Sequence, residues 1–266
     1  MKITGKTRIT FILADPVAHI IGSDVLNRAF AALGRDVVCV PLHVPPGALA
    51  HVMQSLRQMP NVAGFGCTIP HKAAALTLVD DLTPEARRIG AVNFVRRNAN
   101  GSLTGHNIDG AGFAAGLAGA GVSVAGQRVL QIGAGGVGRA IAFALAEGGA
   151  AELVITNRDA AKAAALAAAV GAAFPACRVQ GIAQEAVPSP EGFGLVVNAT
   201  SLGMKPEDPM PFDATRLRVG TVVAEVIMAP AVTPILAEAA RRGCVTVPGL
   251  AMMEPQPRLV VGFMGL

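Results

Sequence analysis

The sequence predicts an α/β protein in which strands alternate with crossover helices, and three observations carry that expectation. Apolar runs and helix-like segments alternate along the front and the middle of the chain, the order that builds parallel or mixed sheets. A glycine-rich turn, Gly133-Ala134-Gly135-Gly136-Val137-Gly138, stands between an apolar run and an alanine-rich segment free of breakers until Gly148-Gly149. The hydrophobic fraction of 52% is accompanied by only 4% aromatic residues, a composition that fits compact α/β packing. No apolar run approaches the roughly 20 residues that a membrane-spanning helix needs.

Element by element, residues 9–14 suit a strand, 25–33 a helix, 37–42 a strand, 47–59 a helix and 62–68 a strand. In the middle, residues 128–132, 152–156, 195–198 and 222–225 read as strands of a doubly wound sheet, with helices from Arg139, after Asp159 and over 111–117. Residues 187–192 read as a surface loop. After Pro248-Gly249 too few residues remain for a third domain, so this return segment is expected to pack on one of the first two.

Bulk properties exclude several classes. The net charge of +4 is spread along the chain and lacks interleaved aromatics, which argues against a nucleic-acid surface and is compatible with small anionic ligands. Cys39, Cys67, Cys177 and Cys244 are widely spaced without C-x-x-C or a His/Cys cluster, so neither a metal site nor a disulfide framework is expected. The apolar stretch after Lys2, Lys6 and Arg8 is interrupted by Asp15-Pro16 and followed by no small-residue cleavage site, so no signal peptide is read and a reducing cytoplasm is expected.

The glycine turn has the form G-x-G-x-x-G between strand and helix, as a dinucleotide pyrophosphate site requires. Gly133 allows a tight turn, Gly135 lets backbone approach the phosphates, and Gly138 allows close helix–strand packing, with the phosphates at the helix N-terminus. Two polar segments stand out elsewhere: Thr68-Ile69-Pro70-His71-Lys72, with Lys72 at an expected helix start, and Gly105-His106-Asn107-Ile108-Asp109-Gly110. Singly, Lys72 reads as a solvated helix residue and Asp109 as an N-cap. Beside a hydride-carrying cofactor they gain meaning, because alcohol oxidation also needs a group that takes the hydroxyl proton. His43, His51 and His106 lack metal-ligand spacing, His71 adjoins Lys72, Met252-Met253 is expected to pack, and Ser201 lacks a nucleophile elbow.

Taken together these motifs resemble the shikimate dehydrogenase family. The ordered matches are Thr68–Lys72, Gly90-Ala91-Val92-Asn93, Asn107-Ile108-Asp109-Gly110, the glycine turn, Asn157-Arg158, Asn198-Ala199-Thr200-Ser201-Leu202-Gly203, and the stretch from Gly249 to Gln256. The resemblance implies an N-terminal α/β substrate domain (1–107 and 249–266), completed by a returning C-terminal helix, and a Rossmann-like doubly wound cofactor domain (108–248), with a cleft between them. It implies Lys72 and Asp109 as the catalytic pair, Thr68, Asn93 and Gln256 as substrate ligands, and Asn198, Thr200 and Gly249 near the nicotinamide. It also implies a place in aromatic amino acid biosynthesis. Monomer and homodimer both remain open.

Departures from the family pattern concern the substrate carboxylate. The family's His-Ser-x-Ser-Pro corresponds to His19-Ile20-Ile21-Gly22-Ser23, so both hydroxyls are lost. Gly66, Ile108 and Met228 replace an asparagine, a threonine and a tyrosine. Each lost charged hydrogen bond costs about 1.5–3 kcal/mol, so shikimate binding is expected to weaken by several orders of magnitude. A hydroxylated ring or polyol without that carboxylate is the expected substrate, unless Ser23 or His19 restores the contact. A non-catalytic dinucleotide sensor and a reductase of an imine or pterin-type ring are the alternatives. For the cofactor, Asn157 stands where an acidic residue would bind the ribose diol, and Arg158 and Lys162 suit a 2′-phosphate. Asp159 stands where the family has a threonine, so NAD or NADP with a slight lean to NAD is expected, with an N-cap role for Asp159 as the alternative.

Overall fold

Strand β1, Arg8–Ala14, is rich in β-branched and aromatic residues and buries the second half of its length, as a strand flanked on both edges does. A computed structural model describes residues 2–18, 20–183 and 189–266. His19 and the first part of the 187–192 loop lie outside the described residues. The chain divides into two units: Met1–Ile108 with Gln256–Leu266, and Asp109–Pro255.

The first unit continues with α1 (Gly22–Ala32), β2 (Val37–His43), α2 (Leu49–Arg57), β3 (Val62–Cys67), β4 (Asp81–Leu82), α3 (Pro84–Ile89), β5 (Phe94–Arg97) and β6 (Leu103–His106). Its six strands run in the order β2-β1-β3-β5-β6-β4. β1 is parallel to β2 and β3, whereas β5 runs antiparallel to β3 and β6. Capping explains α3: Thr83 Oγ1 accepts from the Ala86 N–H, Pro84 fills the first turn, and Gly90 ends the helix in the left-handed region at φ 71°. One apolar cluster joins Leu13, Met53, Phe65 and Val95. A second joins Ile12, Leu26, Phe30, Phe94 and Ile108 with Val260 and Met264; the last two lie in the C-terminal helix of this unit.

The second unit holds α4 (Asp109–Gly119), β7 (Arg128–Ile132), α5 (Gly136–Glu147), β8 (Glu152–Asn157), α6 (Ala160–Ala173), β9 (Arg178–Ala183), β10 (Leu195–Asn198), β11 (Val222–Glu225), α7 (Pro234–Arg241) and β12 (Val245–Val247). Its six strands are all parallel in the order β12-β11-β10-β7-β8-β9, the doubly wound arrangement, with the chain reversing direction across the sheet beside β7. The return helix α8 (Gln256–Met264) belongs to the first unit.

The helix start expected at Lys72 is a turn that leads into a short 3₁₀ helix, Ala74–Thr77; the Lys72 carbonyl accepts from the Val92 N–H at 3.0 Å. Two elements differ from the sequence reading. The β5–β6 hairpin was not anticipated; Gly101 at φ 86° and the Asn98 side chain, which donates to Ser102 Oγ and Thr104 Oγ1, close it. The second unit extends to Pro255, past the expected boundary at 248, because a Cβ on Gly116 of α4 would stand 2.7 Å from the Ala251 carbonyl. Among the described residues no helix is long and apolar enough to cross a membrane.

Candidate active site

In the first unit the polar residues gather where β3 ends and β5 begins. Lys72 lies beyond the fully buried strand β3 and is half-buried; its charge is felt by Cys67, whose thiol is nonetheless pushed up to about 12 by burial. Asn93 is 4% exposed. Its backbone bridges Cys67 N–H and His106 C=O, and its Oδ1 accepts from the Ile108 N–H at 3.0 Å. Asn107 Nδ2 donates to the Ala91 carbonyl at 3.1 Å, so three hydrogen bonds latch segments 91–93 and 106–108 together.

Hydrogen bonding leaves a set of groups unused. The Asn93 Nδ2, the Gln256 amide, the Thr68 hydroxyl and the Ser23 hydroxyl make no bond to the described residues, although Ser23, Asn93 and Gln256 are buried. Ile108 is 1% exposed and shares an apolar cluster with Ile20. The positions where the family carries hydroxyls are thus filled by hydrocarbon.

In the second unit, Asp109 begins α4 and is buried. The glycine turn follows β7. A Cβ on Gly133, which has φ 108°, would stand 2.7 Å from the Ala199 carbonyl, and one on Gly138 would stand 2.4 Å from the Gly133 carbonyl. Both glycines are demanded by packing. At Gly135 and Gly136 a Cβ would meet nothing within 4 Å; glycine there leaves the uncapped N-terminus of α5 open, and this is the fit a dinucleotide pyrophosphate needs. Ala134 is buried and Val137 half-buried within the turn. Gln131, unremarked in the sequence, is completely buried and donates through Nε2 to the Gly133 and Gly138 carbonyls at 2.8 Å each.

A groove of about 490 Å³ is lined by Gly135, Asn157, Arg158, Asp159 and Lys162. Asn157 Oδ1 accepts from the Ala134 N–H at 3.2 Å, and its Nδ2 donates to the Asp159 carbonyl at 3.1 Å. Asp159 is the N-cap of α6: Oδ1 accepts from Lys162 N–H at 3.2 Å and Oδ2 lies 3.6 Å from Lys162 Nζ. At the end of β10, Asn198 Oδ1 accepts from Thr200 N–H and Oγ1. Gly249 is required by packing, since a Cβ would meet the Ile227 carbonyl at 2.3 Å.

Sequence models of two domains match the chain: "Shikimate dehydrogenase substrate binding domain" over residues 12–95 and "Shikimate / quinate 5-dehydrogenase" over residues 117–189. The shikimate dehydrogenase (NADP(+)) of Geobacter metallireducens is 40% identical over 261 residues, covering 96% of this chain and 90% of that protein. The chain belongs to the shikimate dehydrogenase family. It is therefore a shikimate dehydrogenase-like oxidoreductase that uses a nicotinamide dinucleotide. The shikimate dehydrogenase of Listeria monocytogenes, solved with shikimate and NAD, superposes with a TM-score of 0.89 at 31% identity, covering all of this chain and 97% of that one. The ligand-free 5-ketofructose reductase of Gluconobacter sp. strain CHM43 superposes with a TM-score of 0.85 at 36% identity, covering 97% and 92%. The expected lean to NAD finds no support: the named relative uses NADP(+), and the Asp159 carboxylate is engaged with its own helix and Lys162.

The remaining candidates have structural partners. His71 is buried with Nε2 against the Val44 carbonyl at 2.8 Å, and His43 pairs with Asp15 at 2.8 Å. His106 stacks on Phe263 and bonds Thr83 Oγ1; burial, the largest cause, lowers its pKa.

Proposed function

We propose that this enzyme interconverts a secondary alcohol and a ketone on a small polyhydroxylated substrate without a carboxylate, using NADP(H), with the substrate held by the first unit and the dinucleotide by the second. One observation carries the substrate reading: Ile20 and Ile108 share a hydrocarbon cluster at positions where the family binds carboxylate, while Ser23, Thr68, Gln256 and the Asn93 Nδ2 can bind hydroxyls. The likeness to a 5-ketofructose reductase supports it, since that sugar carries hydroxyls and ketones and no carboxylate.

In oxidation the carbinol C–H and O–H bonds break. Lys72 Nζ takes the hydroxyl proton, with Asp109 as the carboxylate of the catalytic pair that the family resemblance implies, and a ketone is left; in reduction Lys72 returns the proton. The dinucleotide, when bound, accepts or supplies the hydride. Arg158 and Lys162 hold the 2′-phosphate, the glycine turn and the α5 N-terminus hold the pyrophosphate, and the Asn198–Gly203 loop with Gly249 holds the nicotinamide end. The free thiols suit a reducing cytoplasm.

A second reading keeps shikimate as substrate. Ser23, a buried residue that stands second in α1, favours it by offering a hydroxyl donor to the carboxylate, and the 40% identical relative bears that name. Initial rates with shikimate and NADP, and with 5-ketofructose and NADPH, decide between them. Faster turnover of the neutral sugar, abolished in Lys72→Ala, supports the first reading; efficient Lys72-dependent oxidation of shikimate at micromolar concentration replaces it by the second.

A further inference from the structure

Glu225 is buried to 1% exposure at the end of β11, directly opposite Asn198 at the end of β10. An apolar side chain would fill the same space without the cost of burying a carboxylate, so its retained partners are informative. Thr233 Oγ1 lies 2.9 Å from both carboxylate oxygens, and Asn198 Nδ2 donates to Oε2 at 3.5 Å.

Asn198 passes this constraint to the loop that follows it. Its Nδ2 also donates to the Leu202 carbonyl at 3.0 Å, while Oδ1 accepts from Thr200 N–H at 3.2 Å and from Thr200 Oγ1 at 2.6 Å. Thr200 Oγ1 in turn accepts from Leu202 N–H at 3.0 Å. Rotating the amide by half a turn would set its oxygen against the carboxylate and its NH₂ against the Thr200 N–H. Glu225 therefore selects one amide orientation. At the far end of the loop, a Cβ on Gly203 (φ 110°) would stand 3.3 Å from Thr233 Cβ, so Thr233 touches both the carboxylate and the loop. Burial pushes the Glu225 pKa up to about 7, against the hydrogen bonds of Thr233 and Asn198, which pull it down.

We propose that Glu225 is a positioning residue that, through Asn198 and Thr233, holds the 198–203 loop and presents Thr200 to the nicotinamide end of the dinucleotide. The proposal rests on the assignment of that loop given under Proposed function, and it is tested by binding rather than turnover. Dissociation constants of NADPH and of 2′,5′-ADP, which lacks the nicotinamide half, are measured by calorimetry for the wild type, Glu225→Gln and Glu225→Leu. The expected result is a loss of NADPH affinity of tenfold or more in Glu225→Leu with 2′,5′-ADP within twofold, and NADPH binding within threefold of wild type in Glu225→Gln, which keeps an oxygen for Asn198. Equal loss of both ligands, or loss of neither, overturns the proposal. Should Glu225→Leu fail to fold, Glu225→Asp, with a shorter reach to Asn198, is read the same way. Failure of every alcohol and ketone to turn over would remove the substrate reading while leaving this comparison intact.

Discussion

Asp159 caps helix α6 through a 3.2 Å hydrogen bond from the Lys162 N–H, and the same carboxylate lies 3.6 Å from Lys162 Nζ. An acidic group beside the groove of Arg158 and Lys162 thus has a helix-capping role, and its negative charge is a side effect that opposes a 2′-phosphate. Asparagine caps a helix as well as aspartate does. Asp159→Asn is therefore expected to unfold at an unchanged urea midpoint while binding NADPH several-fold more tightly, with NADH affinity unaltered. A fall in NADPH affinity would mean that Asp159 contacts the ribose.

Gln131 makes a separate prediction about the glycine turn. Its Nε2 satisfies two carbonyls, of Gly133 and Gly138, at 2.8 Å each inside a completely buried site. Gln131→Leu keeps the volume and leaves both carbonyls without that donor, at about 1–3 kcal/mol each. The expected loss of stability is roughly 2–4 kcal/mol by urea denaturation, and excess NADPH should recover part of it through binding linkage. A loss under about 0.5 kcal/mol would show that the turn is held by its backbone alone.

The strands of the doubly wound sheet were legible because parallel central strands are continuous apolar runs; Arg128–Ile132, Leu195–Asn198 and Val222–Glu225 were delimited to the residue. The β5–β6 hairpin was not, since Phe94–Arg97 and Leu103–His106 are short and carry charged or polar residues. In the site, glycines and the Thr68–Lys72 segment were visible from their spacing. Gln131 and Glu225 were not, because a single polar residue within an apolar strand shows its partners only after Gly138 and Thr233 have been brought to it by the fold. Asp159 sat between two readings for the same reason: capping depends on where α6 begins, a boundary that sequence places loosely.

Glu225 makes stability depend on pH in an unusual direction. Its pKa is raised by burial from 4.5 to about 7, so the folded state holds the proton more tightly than the unfolded chain. By linkage its contribution is fully present below pH 4.5 and is lost as the pH rises through about 7. The loss is on the order of 3 kcal/mol at 1.36 kcal/mol for each pKa unit. Glu225→Gln mimics the neutral form and lacks this dependence. Urea midpoints at pH 5 and pH 8 should show the wild type losing stability relative to Glu225→Gln on going to pH 8; a constant difference would mean that the carboxylate is ionised throughout.

Ile20 and Ile108 offer the direct test of the altered substrate wall. Ile108 is 1% exposed in the cluster with Ile12, Leu26 and Phe94, and Ile20 packs against the same cluster. Restoring hydroxyls with Ile20→Ser and Ile108→Thr provides donors to a carboxylate at about 1.5 kcal/mol or more each, so kcat/KM for shikimate should rise roughly tenfold to a hundredfold. The same change removes buried hydrocarbon and buries a hydroxyl, at about 1–3 kcal/mol of stability. Turnover of a neutral ketose should fall in parallel, because the new hydroxyls replace an apolar wall with one that needs a partner. If shikimate oxidation stays flat while the double variant remains folded, the carboxylate is excluded by something other than these two side chains, and Met228, half-buried in the second unit, becomes the position to change next.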